Sequence, residues 1–225
     1  MSDIDEQIIA GRTRHWFEIN SSSVKNQLIV KPLNREKYKG LLSDSVYKSV
    51  GDFALALYRF ILCNDTILLT SKITYDDLRR WHLEENLNTL FHKALENSAK
   101  LFPPHIIDLR TGCEEMLFDR RGTYDSKEIL LSAQLDFNGA ASLFYPGVMT
   151  EMMKLMAGPF IAIFLGTSYI RIHRPDDFSY MLTHAVVHDS KLFDDFLSGK
   201  IYYCDHTGIS VVNCNTYKNE GDTWQ

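Results

Sequence analysis

Residues 129–173, ILLSAQLDFNGAASLFYPGVMTEMMKLMAGPFIAIFLGTSYIRIH, are the densest apolar stretch of the chain and read as strand, tight turn, helix and two further strands. Asn138-Gly139 supplies residues that tolerate the positive φ angles of a sharp reversal. Pro146 suits the first turn of a helix, and Gly158-Pro159 ends that helix ahead of the apolar run Phe160 to Leu165. This order puts a sheet at the middle of the fold, with the other segments packed around it.

Upstream, residues 24–33 (VKNQLIVKPL) carry a short β signal, and Asn34 is placed to cap a helix over 35–42. DFALALYRFILCNDTILLTS predicts two paired strands, 53–62 and 66–71, turning at Asn64-Asp65. Thr74 and Asp76 are candidate caps for a short helix ending near Trp81. From Glu84 to Lys100, Leu87, Leu90, Phe91, Ala94 and Leu95 recur at three- and four-residue spacing, the stripe of a core-facing helix. Phe102-Pro103-Pro104 closes it. Residues 105–126 show no sustained period and read as an irregular excursion, the surface loop where function is first sought.

Downstream, Arg174-Pro175-Asp176-Asp177 turns into a helix to about Asp189, a second short helix covers 191–198 and stops at Gly199, and IYYCDHTGISVV is a hairpin turning at His206-Thr207. The expected organisation is an N-terminal arm or helix over 1–23, one domain over 24–214 and a frayed tail over 215–225. The expected fold class is α+β, a mostly antiparallel sheet with helices packed on one side.

With 225 residues, 45% apolar, the chain can bury a sizeable core without staples. Its net charge of −5 disfavours nonspecific grip on a phosphate backbone, which draws on Lys and Arg releasing counterions. The acidic residues occur in scattered pairs such as Asp76-Asp77 and Asp194-Asp195, not in the mass that DNA mimicry requires. Cys63, Cys113, Cys204 and Cys214 are too few and too scattered for a disulfide scaffold. With no secretory leader pattern at the start, reduced thiols and a cytoplasmic location are expected. The longest apolar runs fall short of the ~20 residues that cross a bilayer, so no membrane association is expected.

His184 and His188 lie one helical turn apart, a spacing that lets two imidazoles meet one metal. A zinc protease needs Glu beside the first His, and Ala185 stands there. Structural histidines are the preferred reading, and a metal held by His184, His188 and a distant ligand is the alternative. Cys204, His206 and Cys214 do not make a zinc site, because the hairpin register sets Cys214 opposite Gly199, roughly 16 Å from Cys204 at ~3.3 Å per residue. Gly166-Thr167-Ser168 lacks the second glycine and the strand-to-helix context of a nucleophile elbow and reads as a plain turn. No phosphate-binding glycine loop occurs, and no cofactor is expected. Met149, Met152, Met153 and Met156 form a helical stripe that fits core packing better than a docking face. Arg120, Arg121, Arg171 and Arg174, with Tyr169 nearby, are the candidate partner-binding residues, since alternating strand residues share a face and an aromatic adds a stacking surface. A charged, solvated sheet edge is the competing account.

VKNQLIVKPLNREKYKGLL, DFALALYRFIL, LLTSKITYDDLRRWHLEENLNTLFHKALENSAKLFPP, GAASLFYPGVMTEMMK, and the RPDD turn followed by FLSGKIYYCDHTG together resemble, over about 24–212, a domain family of unknown function from anaerobic gut Firmicutes and their mobile elements. The chain resembles that family's second half preceded by a different short arm. The resemblance implies a Pro-Ser-Ser-Xaa-His-Glu run between the two strands after the helix. Here those positions hold Leu165, Gly166, Thr167, Ser168, Tyr169 and Ile170, so a His-Glu acid and base would both be missing.

The expected function is therefore non-catalytic: a small protein that docks onto another macromolecule, most simply a protein or a nucleoprotein complex. The family's implied company suggests a regulator or inhibitor of a host defence system such as a CRISPR effector. The alternative is a metal-dependent hydrolase or nuclease built from His173, His184 or His188 with Asp176 or Asp177. A homodimer through a strand edge or the methionine stripe is a third reading.

Overall fold

Phe53 to Tyr58 are apolar at every position, so a strand made of them must be covered on both faces. In the computed structural model, which describes residues 24–63, 68–83, 86–120, 127–134, 138–177 and 194–212, all six are buried. They open β3 (Phe53–Cys63), the centre of a four-stranded antiparallel sheet. β1 (Leu28–Asn34) flanks one side, with Leu28 opposite Arg59 and Asn34 opposite Phe53. β2 (Tyr47–Val50) and then β4 (Leu68–Lys72) flank the other. The expected β3–β4 pairing is present. β2, whose YKSV has a weak β signal, lay outside the sequence reading.

Asn34 Oδ1 accepts from the backbone N–H groups of Glu36 and Lys37, at 3.0 and 2.9 Å, but helix follows only at α1 (Lys39–Leu42). α2 (Tyr75–Arg80) starts at a capping box of Thr74 with Asp77, not Asp76. α3 (Leu87–Leu101) starts at Asn86, whose side chain accepts from Thr89 N, and turns Leu90, Phe91 and Ala94 into the core. It also closes the free edge of β1. Ser98 Oγ accepts from Val30 N at 3.1 Å, and Asn97 Nδ2 donates to the carbonyls of Lys25 and Leu28 at 2.9 and 3.0 Å. An edge strand thus has its outward backbone groups satisfied by helix side chains.

Among the described residues the second sheet has seven strands: β5 (Pro104–Asp108), β6 (Glu114–Met116), β7 (Glu128–Ala133), β8 (Phe160–Ile163), β9 (Tyr169–His173), β10 (Ile201–Asp205) and β11 (Gly208–Val211), all paired antiparallel in the order β11-β10-β8-β9-β7-β5-β6. β5 and β6 correct the irregular excursion expected at 105–126. Pro104 looked like a breaker, yet it is the first residue of its strand, where the missing N–H is tolerated, and its carbonyl accepts from Leu117 N at 3.0 Å. The central stretch is as expected. Asn138 is left-handed at φ 57°, a 3-10 turn spans Gly139–Phe144, and α4 (Val148–Leu155) is followed by β8 and β9.

The helix expected over 191–198 is absent from its described part. Leu197 and Ser198 instead donate their N–H groups to the Leu165 and Phe164 carbonyls, at 3.2 and 3.0 Å, extending the end of β8. The helix expected after Pro175–Asp177 lies outside the described residues, as do 1–23 and 213–225.

One apolar cluster joins both sheets: Val30, Leu55 and Leu57 from the first, Ile106, Leu131, Phe160 and Ile172 from the second, with Leu90 and Phe91 of α3 and Val148 and Met152 of α4. Phe53 packs on Phe164 at 4.7 Å and edge-on to Tyr202 at 5.8 Å. Met152 and Met156 are buried and Met149 and Met153 pack against the same cluster, so the methionine stripe is core. No helix among the described residues is long and apolar enough to cross a membrane.

Burial separates the thiols. Cys204, inside the core, is pushed up to about 12 by desolvation and then by Asp205 beside it, whereas Cys113 lies exposed in the β5–β6 turn. A thiol-specific reagent at mildly alkaline pH is expected to label Cys113 within minutes and Cys204 only once the protein is unfolded. Mass spectrometry of the labelled peptides reads the order, and fast labelling of Cys204 in the native state would contradict the packing of β10.

Candidate docking surface

The alternation of β9 buries Ile170 and Ile172 and turns Tyr169, Arg171 and His173 to the opposite face. There Glu128 of β7 stands across from His173 in register. Its Oε1 accepts from Arg171 Nε and lies 3.7 Å from His173 Nε2. Arg171 is thus compensated within the protein and does not offer an open positive charge. Arg174 lies past the strand's end, three residues on, and so outside the alternation that was expected to align it with Arg171. Its N–H bonds the Lys127 carbonyl at 3.2 Å, and its Nε is buried with no hydrogen-bond partner among the described residues. Tyr169 is 39% exposed at the start of the strand. Arg120 is half-buried, and Arg121, His184 and His188 lie outside the described residues. Of the candidates on and after β9, Tyr169 and Arg171 share a face, Arg171 is engaged by Glu128, and Arg174 lies beyond the strand. Among the described residues no group of three His, Cys, Asp or Glu side chains is placed to hold a metal ion.

What the structure assembles instead is the far edge of the second sheet. The β5–β6 turn is organised by Asp108, buried, whose Oδ1 accepts from Arg110 N and Thr111 N at 2.7 and 3.2 Å. The Asp108 backbone exchanges bonds with Cys113 O and Gly112 N. With the turn held from beneath, Leu109 is 41% exposed at its outer end. Among the described residues β6 is the last strand of the sheet. Leu117, buried, pins the chain after it through its bond to the Pro104 carbonyl, and the next residue, Phe118, is 53% exposed, the most exposed large apolar side chain among the described residues. Leu109 lies in the turn before β6 and Phe118 in the turn after it, so the two flank the strand in sequence. Between them lie Glu114, which pairs with the buried His105 at 3.1 Å, and Glu115.

Sequence reading did look first to 105–126, but for Arg120-Arg121, and missed Leu109 and Phe118. The available signal was Asp108 followed by Thr111-Gly112, a turn signature between two short apolar-containing runs.

A family model described as a family of unknown function matches residues 8–163. The match begins within the segment expected to be a different arm, and it stops before Leu165–Ile170, the positions compared above with a His-Glu pair. No curated protein and no solved structure matches the chain.

Proposed function

The chain belongs to DUF5688, a family of unknown function, and from that premise we propose that it is a non-catalytic protein that docks onto a protein partner through the β6 edge. What supports the reading is a single feature: a terminal strand flanked by two exposed apolar side chains, Leu109 and Phe118. Exposed aromatic side chains beside a strand edge are the elements from which interface anchors and added-strand recognition are built. The acidic Glu114 and Glu115 favour a partner segment with basic residues. If the gene travels with a mobile element, a host defence protein such as a CRISPR effector is the partner class this reading favours.

Affinity capture from a host lysate, with and without nuclease treatment, tests the reading. One dominant protein that survives nuclease treatment is expected. Recovery of nucleic acid alone would overturn it.

A further inference from the structure

Antiparallel pairing leaves every second residue of an edge strand with its backbone N–H and C=O turned outward. In β6 the bonds at the two ends fix which residues those are. Asp108 N donates to the Cys113 carbonyl at 2.9 Å and Leu117 N to the Pro104 carbonyl at 3.0 Å, and the register sets Ile106 opposite Glu115 midway between them. Residues 113, 115 and 117 therefore turn their backbone groups to β5, and Glu114 and Met116 turn theirs away from it. The Met116 carbonyl accepts from Asp119 N at 3.3 Å, but the Glu114 N–H, the Glu114 carbonyl and the Met116 N–H bond to no described residue. The strand is open to solvent here, with Cys113 and Glu114 both exposed.

The side chains say what kind of strand would lie alongside. Glu114 is engaged by His105 at 3.1 Å, whereas Glu115, on the opposite face, reaches only the Cys113 thiol among the described residues, at 3.9 Å. Past the strand, the Phe118 ring is seated on one side against Gly147: a Cβ there would stand 3.7 and 3.8 Å from two ring carbons. The rest of the ring is exposed. A second copy of this chain is a poor occupant. Antiparallel self-pairing about Glu115 would set two Glu115 carboxylates directly opposite each other, and pairing about Glu114 two Glu114 carboxylates, and like charges so placed are destabilising.

We propose that β6 takes up an extended segment of the partner protein as an added antiparallel strand, with a lysine or arginine opposite Glu115 and a bulky apolar side chain, nearer the segment's N-terminus, against Phe118. This inference rests on the docking reading and deepens it. Backbone bonds at Glu114 and Met116 supply affinity whatever the partner's sequence, and the two side-chain positions supply selectivity.

The test is amide hydrogen exchange followed by NMR on the isotopically labelled full chain, with the capped peptide Phe-Thr-Val-Lys-Val-Lys-Thr as probe. Exchange at Glu114 and Met116 is expected to slow about tenfold or more at saturating peptide, as their N–H groups gain partners. The same peptide N-methylated at alternate residues on its bonding edge is expected to give no protection, and replacing its lysines by glutamates is expected to weaken binding about tenfold or more. Shifts confined to Leu109 and Phe118, without protection of Glu114 and Met116, would overturn the added strand while leaving docking through side chains standing. Equal binding of the N-methylated or the glutamate peptide, or no binding of the lysine peptide, would overturn it too. Whether the edge meets a protein partner at all is read separately, by partner capture with Phe118→Asp.

Discussion

Gly139→Ala is expected to cause the largest loss of stability of any single change considered. A Cβ built at Gly139 would sit 1.7 Å from the backbone carbonyl oxygen of Ser168 and 2.6 Å from Ser132 Oγ. Neither neighbour can withdraw. Ser132 is paired with Tyr169 across β7 and β9, its Oγ donates to the Ser168 carbonyl, and Ala140 N bonds the Thr167 carbonyl at 2.9 Å. The methyl group would have to part the turn between β8 and β9 from the 3-10 turn packed on it, at a cost of about 3–5 kcal/mol against a total stability of about 5–15 kcal/mol. Gly40→Ala is the control: nothing lies within 4 Å of its Cβ and it sits in α1, so a neutral or slightly stabilising effect is expected. Urea midpoints of the two variants read the difference. An unchanged midpoint for Gly139→Ala would contradict the close approach.

Asp52→Ala should produce the second largest loss. Asp52 follows Gly51 in the β2–β3 turn, and its carboxylate is the hub that ties the first sheet to the approach to β10. Oδ1 accepts from Tyr202 OH at 2.7 Å and from Ser198 Oγ, and Oδ2 accepts from Gly199 N at 3.1 Å. Nearby, Asn34 Nδ2 donates to the Leu197 carbonyl at 3.0 Å. Ser198 and Tyr202 are buried, and desolvation pushes the Tyr202 phenol well above its ordinary range, so it stays a neutral donor. Removing the acceptor leaves two buried hydroxyls without it, an expected cost of about 2–4 kcal/mol. Asp52→Ala combined with Tyr202→Phe should cost less than the sum of the two single changes, by about 1 kcal/mol or more, because the second removes a donor that has already lost its 2.7 Å acceptor. Strict additivity would mean that the two side chains do not share the bond.

These contacts explain what could and could not be read from the residues. The stretch 129–173 was legible because each local signal agreed with the next: a left-handed Asn138, a helix ended by Gly158-Pro159 and two apolar runs around a polar turn. The amphipathic stripe of α3 was legible for the same reason. β2 and β6 were not, because four and three residues carry too little periodicity and both strands owe their form to a neighbour, β3 in one case and β5 in the other. Pro104 misled for a related reason, since its cost depends on whether a partner needs its N–H, which no local pattern reveals. Among the candidate site residues, Arg171 looked available because Glu128, its partner, is 43 residues away in sequence. Phe118 went unread because its exposure follows from the burial of Leu117 beside it and not from its own chemistry.

The docking account is tested most directly by comparing the wild-type chain with Phe118→Asp and Leu109→Asp in the same nuclease-treated capture, after confirming equal urea midpoints. Both side chains are exposed, so the fold is expected to tolerate either change. The account predicts that the protein partner recovered by the wild type falls about tenfold or more with Phe118→Asp and also declines with Leu109→Asp. Full recovery of the partner by both variants would contradict it and place the contact surface elsewhere on the molecule.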